Sequence, residues 1–356
     1  MSDLDLLEDS ASRFFAGAHR PAAGAEGPDE AGLARLWAET AAMGFPLAGV
    51  PEDLGGAGMT RAEASVLVRI AAAHVAPVPL AETMAASWVL ADAGAAPPEG
   101  IATLQAGLGL PELALSPDGD GYGATGCLAE VPWGREAGTV VALARLGGGA
   151  ALVRLPGRAL AWTAATNIAG EPRAATALAG HPLPRAAVTA LPPGYDLRRP
   201  GLILAALRAT QLAGAMQRVL ALAIDHANTR VQFGRPIGRF QAIQSLLSEA
   251  AGHVAAGSAA ADGAASRLDD PDAEALELAV ACAKSRAGEA ATRVAAIAHQ
   301  VFGAVGFTRE HELHHATRRL WAWREEAGDE AFWNERLGAI AREAGSAGLW
   351  ARLTAL

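Results

Sequence analysis

Between residues 111 and 194 the chain changes period, and that change limits what it can fold into. Short apolar runs (Ala114-Leu115, Thr139 to Leu143, Ala151 to Leu155) alternate there with turn residues. Asp118-Gly119 and Asp120-Gly121 are hairpin signals, and Pro192-Pro193-Gly194 closes the zone. On either side, apolar residues recur at helical spacing instead. The pattern predicts a mainly α chain with a small β-domain. A helical domain spans residues 1–110, the β-domain 111–195, and a helical bundle 196–356. Composition supports the helical bias. Hydrophobic residues are 51 % of the chain, alanine dominates them, and aromatics are only 5 %.

Local signals mark the elements. Leu33, Leu36, Trp37 and Met43 fall at helical spacing. A second helix is expected over Met59–Ala76, with Thr60 as N-cap and Glu63 three residues on, a capping-box pattern. Pro51 and the glycines at 55, 56 and 58 form the loop between them. In the last zone Leu204, Leu207, Leu212, Met216, Leu220 and Ile224 share a face of a long helix predicted to end near Gly234, ahead of Pro236. A helix follows from Phe240 to Ser266. Asp270 as N-cap and Pro271 as first residue open a third, running to Phe302. A fourth starts near Thr308 and a fifth after Asp329. Long helices with short links predict an antiparallel bundle.

The net charge of −9 argues against binding nucleic acid through a general basic surface. Cys127 and Cys282 form no CxxC pair and are expected to be small buried residues of a reducing, cytoplasmic protein. The first fifteen residues carry Asp3, Asp5, Glu8 and Asp9 and no basic stretch, unlike a signal peptide. No run of apolar residues is long enough for a membrane span.

The most specific string is Arg230-Val231-Gln232-Phe233-Gly234-Arg235-Pro236-Ile237-Gly238-Arg239-Phe240-Gln241-Ala242-Ile243. A helix end carrying arginine, a tight turn and a new helix together offer a permanent cation, free backbone N–H groups and an aromatic face. Those groups suit a diphosphate and a flat base. An ordinary helix–turn–helix with solvated arginines has the same composition.

The string closely resembles the signature of the acyl-CoA dehydrogenase family at the corner between the first two helices of its C-terminal bundle. A second string, Gln300-Val301-Phe302-Gly303-Ala304-Val305-Gly306-Phe307-Thr308-Arg309-Glu310-His311, resembles that family's later Gly-rich corner. The helical–β–helical order is similar too. The resemblance implies an N-terminal helical domain, a middle β-barrel or sandwich and a C-terminal four-helix bundle, with FAD at a subunit interface. It implies that Arg230 meets the FAD diphosphate and that Gln232, Phe233 and Gly234 form the corner along the adenosine part. Gln241 would help hold the turn. Gln300 and Gly303 would cradle the diphosphate of a neighbouring subunit's FAD, with Ala304 replacing the usual second glycine. That methyl group is tolerable only where φ is negative and the ligand is not too close.

By the same resemblance, the reaction is α,β-dehydrogenation of an acyl-CoA, with electrons passed to an electron-transfer flavoprotein. The chain would work as a homo-oligomer, dimer or tetramer, or as one subunit of a heteromer in which a second subunit carries the base. The departures bear on that choice. The family's Tyr-Glu-Gly-Thr base string is missing. Its counterpart here is Trp321-Ala322-Trp323-Arg324-Glu325-Glu326-Ala327-Gly328-Asp329-Glu330. An ungapped match puts Ala327 at the base position and a one-residue shift puts Glu326 there. Glu326 is the first candidate and Glu325 the second; the competing reading is two solvated charges. A carboxylate at a helix C-terminus opposes the helix dipole and needs a reason to be there. No acid occurs between Pro200 and Gln217, so the family's alternative base site, at Leu204, is closed. The β-domain lacks the family's flavin-contacting stretches. Glu130-Val131-Pro132-Trp133-Gly134 is the nearest segment to one of them, and Trp133 reads first as a core or surface residue.

His311-Glu312-Leu313-His314-His315 is a formal HExxH, and Glu335 lies at a spacing suited to a third ligand. A zinc-dependent hydrolase is the alternative it raises. The polar Thr308-Arg309-Glu310 ahead of it disfavours that reading, and the family pattern already accounts for a Glu-His run after Gly-Phe-Thr.

Overall fold

The computed structural model describes residues 3–17, 29–108 and 111–354. Four helices come first: α1 (Asp3–Gly17), α2 (Glu30–Ala42), α3 (Arg61–Ala73) and α4 (Leu80–Asp92). Eight strands follow: β1 (Ala102–Gln105), β2 (Leu113–Asp118), β3 (Gly121–Pro132), β4 (Thr139–Leu146), β5 (Gly149–Pro156), β6 (Thr163–Thr166), β7 (Pro172–Leu183) and β8 (Val188–Ala190). Then come α5 (Arg199–Thr229), the two-residue strands β9 (Val231–Gln232) and β10 (Arg235–Pro236), α6 (Gln241–Ala265), α7 (Ala273–Phe302), α8 (Leu313–Glu325) and α9 (Glu330–Thr354).

Contacts gather the chain into two compact units. One is Asp29–Ala64 with Pro77–Leu204. Its centre is a sheet in the order β6-β7-β3-β2-β4-β5-β8, with β1 added alongside β4. β1 and β2 occupy successive stretches of β4, both parallel to it, so the sheet begins ahead of residue 111. The β2–β3 hairpin closes as its turn residues predict, with Asp118 opposite Gly121 and Gly119 at φ +52°. α4 docks on β1, where the Thr83 hydroxyl donates to Ala102 O at 2.9 Å and accepts from its N–H at 3.1 Å. Gly49 has φ +76°, and a side chain there would run into the Trp88 ring. The Trp88 indole donates to Ala48 O at 2.8 Å. Asp92 takes Arg61 at 2.6 Å and Arg199 at 2.9 Å, joining the starts of α3 and α5 to the end of α4.

The other unit is Met1–Pro28, Ser65–Ala76 and Ala205–Leu356. In it α7 is packed by α6, α8 and α9. Small residues set the close approaches: a Cβ on Gly214 would strike Arg69 O, and one on Gly257 would strike the Met216 methyl. The buried apolar faces of α5, α6 and α7 meet around Ala227, Ile237, Ala250, Ile297 and Val301.

Several boundaries differ from the sequence pattern for definite reasons. The Thr60/Glu63 capping box forms, with the Thr60 N–H donating to Glu63 Oε2 at 2.9 Å and the Glu63 N–H to Thr60 Oγ1 at 3.2 Å. Met43 is exposed, because it caps the C-terminus of α2 rather than continuing its buried face. α5 stops at Thr229, not Gly234, because Phe233 and Gly234 both take positive φ and fold residues 231–236 into a hairpin. Asp272, not Asp270, caps α7 by accepting from the N–H groups of Glu274 and Ala275; Asp270 accepts from the Asp272 N–H instead. α8 begins at Leu313, since residues 303–307 form a 3₁₀ turn. Cys127 is exposed and Cys282 half-buried, so neither is the buried cysteine expected. No described helix is long and apolar enough to cross a membrane.

Candidate functional site

The two Gly-rich strings, some 70 residues apart in sequence, wall one cleft of about 440 Å³. One wall is the end of α5 and the hairpin after it. The Ile237 N–H donates to Arg230 O at 2.9 Å and closes that hairpin. With Phe233 at φ +50° and Gly234 at +78°, its two-residue turn has the type I′ form, which matches the twist of the paired strands. Glycine takes this conformation freely and phenylalanine does not. Phe233 is also 91 % exposed, with its ring edge-on to Phe240 and the two centroids 6.1 Å apart. Neither burial nor backbone preference accounts for an aromatic residue at this point. The Arg235 guanidinium lies over the Phe240 ring at 4.3 Å, adding a cation beside the hairpin.

The other wall is the end of α7. Gln300 and Phe302 line the cleft, followed by Gly303, Ala304 and Val305. Gly303 breaks the helix at φ +62°, with open space where a Cβ would point, so conformation and not crowding selects glycine there. Ala304 is not among the positive-φ residues, so its backbone meets the conformational half of the condition set by the missing second glycine. Arg230, Gln232, Phe233, Gln300, Gly303 and Ala304 therefore converge on one cleft. Gln241 opens α6 outside that lining, and the turn carbonyl of Gly238 accepts instead from Gln244 Nε2 at 3.0 Å. Among the described residues, no carboxylate lines the cleft. A permanent cation, amide side chains, turn N–H groups and an exposed aromatic ring suit a ligand with a diphosphate and a flat base.

The candidate base lies at the other end of α8. Glu326 is its C-cap, and the carboxylate is 2.8 Å from the Arg208 guanidinium, a residue of α5 that also donates to Gln211. Arg208 is buried. The fully buried Lys284 ammonium caps the same helix end, donating to the carbonyls of Trp323 at 3.0 Å, Arg324 at 3.1 Å and Glu326 at 2.7 Å. The carboxylate at this helix C-terminus is offset by its Arg208 partner, while Lys284 covers the helix-end carbonyls. Burial pulls the Lys284 amine down to about 7. Glu325 is exposed and faces Arg324 at 3.3 Å.

The motif known as the acyl-CoA dehydrogenase C-terminal domain matches residues 204–347, and the acyl-CoA dehydrogenase N-terminal domain matches residues 2–96. The chain is 31 % identical over 318 residues to the acyl-CoA dehydrogenase FadE27 of Mycobacterium tuberculosis, covering 78 % of this chain and 80 % of that protein. This chain belongs to the acyl-CoA dehydrogenase family. It is also 31 % identical over 323 residues to the acyl-CoA dehydrogenase FadE34 of Mycobacterium tuberculosis, covering 87 % of this chain but only 43 % of FadE34. The fold is shared with the ChsE4–ChsE5 complex from Mycobacterium tuberculosis, at a TM-score of 0.81 and 24 % identity over 95 % of this chain and 97 % of that one.

Within this acyl-CoA dehydrogenase fold the HExxH string does not take up the geometry its spacing suggests. His311 precedes the first residue of α8, and its Nδ1 accepts from the Leu313 N–H at 3.1 Å, so His311 and His315 are not one turn apart on a helix. Glu335 lies on α9. Among the described residues no three His, Cys, Asp or Glu side chains gather as a metal site. Both histidines line a second cleft, of about 290 Å³, beside the Arg218–Glu312 ion pair. Trp133 is buried, which is the core reading of that residue. Sequence reasoning missed Arg208 and Lys284, which act on α8 from distant elements, and His226, which lines the first cleft.

Proposed function

We propose that this chain is a subunit of an FAD-dependent acyl-CoA dehydrogenase that oxidises an acyl-CoA at Cα–Cβ and passes electrons to an electron-transfer flavoprotein. The convergence of Arg230, Gln232, Phe233, Gln300 and Gly303 on one cleft carries the reading. Arg230 would hold the diphosphate, Phe233 would cover the adenine, and the N–H groups after Gly303 would face the phosphates. FAD, when bound, supplies the acceptor for the hydride leaving Cβ. The remaining requirement is a base for the α-proton.

Here one observation favours a heteromer. The Glu326 carboxylate is already engaged by the buried Arg208 guanidinium at 2.8 Å, while Glu325 is exposed beside Arg324. The reading this supports is a complex in which this chain supplies the dinucleotide side and a second kind of subunit supplies the base. ChsE4–ChsE5, which shares the fold, is a complex of two differently named chains. The visible spectrum of the purified chain tests the proposal. A flavin spectrum at about one FAD per chain supports a self-sufficient homo-oligomer. Flavin bound only after co-expression with a second acyl-CoA dehydrogenase-like chain supports the heteromer. No flavin in either preparation overturns both.

A further inference from the structure

The first cleft holds a titratable side chain that neither signature string contains. His226 lies one helical turn before Arg230 on α5, and its carbonyl accepts from the Arg230 N–H at 2.8 Å. Its ring stacks on Phe302, with centroids 4.2 Å apart and planes inclined by 23°. Phe302 is the last residue of α7, so this stack fixes the imidazole between the two helix ends that wall the cleft. Another edge of Phe302 meets His311 at 4.5 Å.

The charges around His226 are one-sided. Partial burial first, then His311 across Phe302 and Arg230 just past the end of α5, hold the imidazole below its usual value. From α6 and the turn before it the lining residues are the apolar Ile243 and Phe240, and from α7 they are Gln300, Val301 and Phe302. Arg235 on the hairpin is a further cation, placed over Phe240. The free cleft thus keeps a neutral ring beside permanent cations. A diphosphate reverses that balance, because its negative charges favour the protonated ring, and a stacked phenyl face accommodates an imidazolium.

We propose that His226 is a proton-linked contact of this cleft: a diphosphate-bearing ligand entering beside Arg230 draws one proton from solvent onto the imidazole, which then serves the site as a further cation. The step adds a proton and breaks no covalent bond. FAD as the ligand rests on the function proposed above; the diphosphate chemistry is shared with inorganic pyrophosphate, which separates the two readings.

The test is titration calorimetry on flavin-free protein at neutral pH, with FAD and separately with inorganic pyrophosphate, in two buffers of different ionisation heat. The expected result is uptake of up to about one proton per ligand, with affinity weakening by at most about tenfold per pH unit above neutrality. His226→Phe keeps the ring stack and Arg230; it is expected to bind both ligands without proton uptake and with a flat pH dependence. The His226 C2–H resonance of the wild-type protein, followed with pyrophosphate, gives the same answer should the variant fail to fold. Buffer-independent heats, an unmoved resonance, or equal uptake by His226→Phe overturns the proposal. Proton-linked pyrophosphate binding without FAD binding sinks the flavin reading and leaves this one standing. FAD binding without proton uptake does the reverse, and no binding of either ligand overturns both.

Discussion

The Arg208 guanidinium, 4 % exposed, lies 2.8 Å from the Glu326 carboxylate, and each group makes the other tolerable. Removing one partner strands a buried charge. Glu326→Gln is therefore expected to lower unfolding stability by about 2–4 kcal/mol in a urea titration. A combined Arg208→Met and Glu326→Leu change should recover most of that loss. If a second subunit supplies the base, as proposed, Glu326→Gln in the assembled enzyme should leave kcat within about threefold. A fall of about a thousandfold or more would place the base in this chain after all.

Lys284 is a second buried basic group at the same helix end, where it donates to three main-chain carbonyls. Lys284→Met should cost about 2–4 kcal/mol. The pH dependence has a definite sign. The folded value, about 7, lies below the ordinary 10.5, so between those pH values the unfolded chain holds the extra proton. The contribution of Lys284 to stability then rises with pH through that window, by at most about 1.4 kcal/mol per unit. The difference between wild type and Lys284→Met, measured by urea unfolding across the range, should show that rise; a flat difference would mean the amine stays charged.

Such pairs are illegible in a sequence because nothing local announces them. Thr60 with Glu63, Asp118 with Gly121 and the helix end at Phe302 were each readable, since the residues that make the interaction are neighbours in the chain. The end of α5 was not. Arg230-Val231-Gln232 continues a polar helical pattern, and only the left-handed pair Phe233-Gly234 turns it into a hairpin. The two signature strings marked the cleft proposed to hold the dinucleotide, because their chemistry is carried by contiguous residues. Glu326 was legible as an anomaly at a helix end, but its explanation came from α5 and α7. His226 gave no signal, because its meaning depends on a stack with Phe302.

Glu112 carries the opposite pH signature to Lys284. Burial raises its carboxyl to about 7, although the Gly107 N–H donates to it at 3.1 Å. The ordinary value is 4.5, so from there to about 7 the folded state holds the extra proton and stability falls as pH rises. Glu112→Gln keeps an acceptor for Gly107 and removes the buried charge. It should stabilise the protein by about 1–2 kcal/mol above neutrality, after allowance for solvent screening, and change little at pH below the ordinary carboxylate range. Thermal melts at mildly alkaline and acidic pH check both halves; equal shifts at the two would rule out titration as the cause.

Phe233 separates folding from ligand binding most cleanly. It occupies a left-handed position next to Gly234, is almost wholly exposed, and makes one edge contact with Phe240. Phe233→Asn supplies the residue type that a type I′ turn favours, so the fold should gain about 0.5–1 kcal/mol or stay unchanged. The aromatic cover of the cleft is lost, and FAD affinity should fall about tenfold, as expected for one stacking contact. Melting temperature and flavin fluorescence on the same preparation measure the two effects. Lower stability with unchanged FAD affinity would make Phe233 a packing residue and return the cleft to an ordinary helix–turn–helix. A higher or equal melting temperature with weakened flavin binding would mean that the strained, exposed phenylalanine is kept for the ligand.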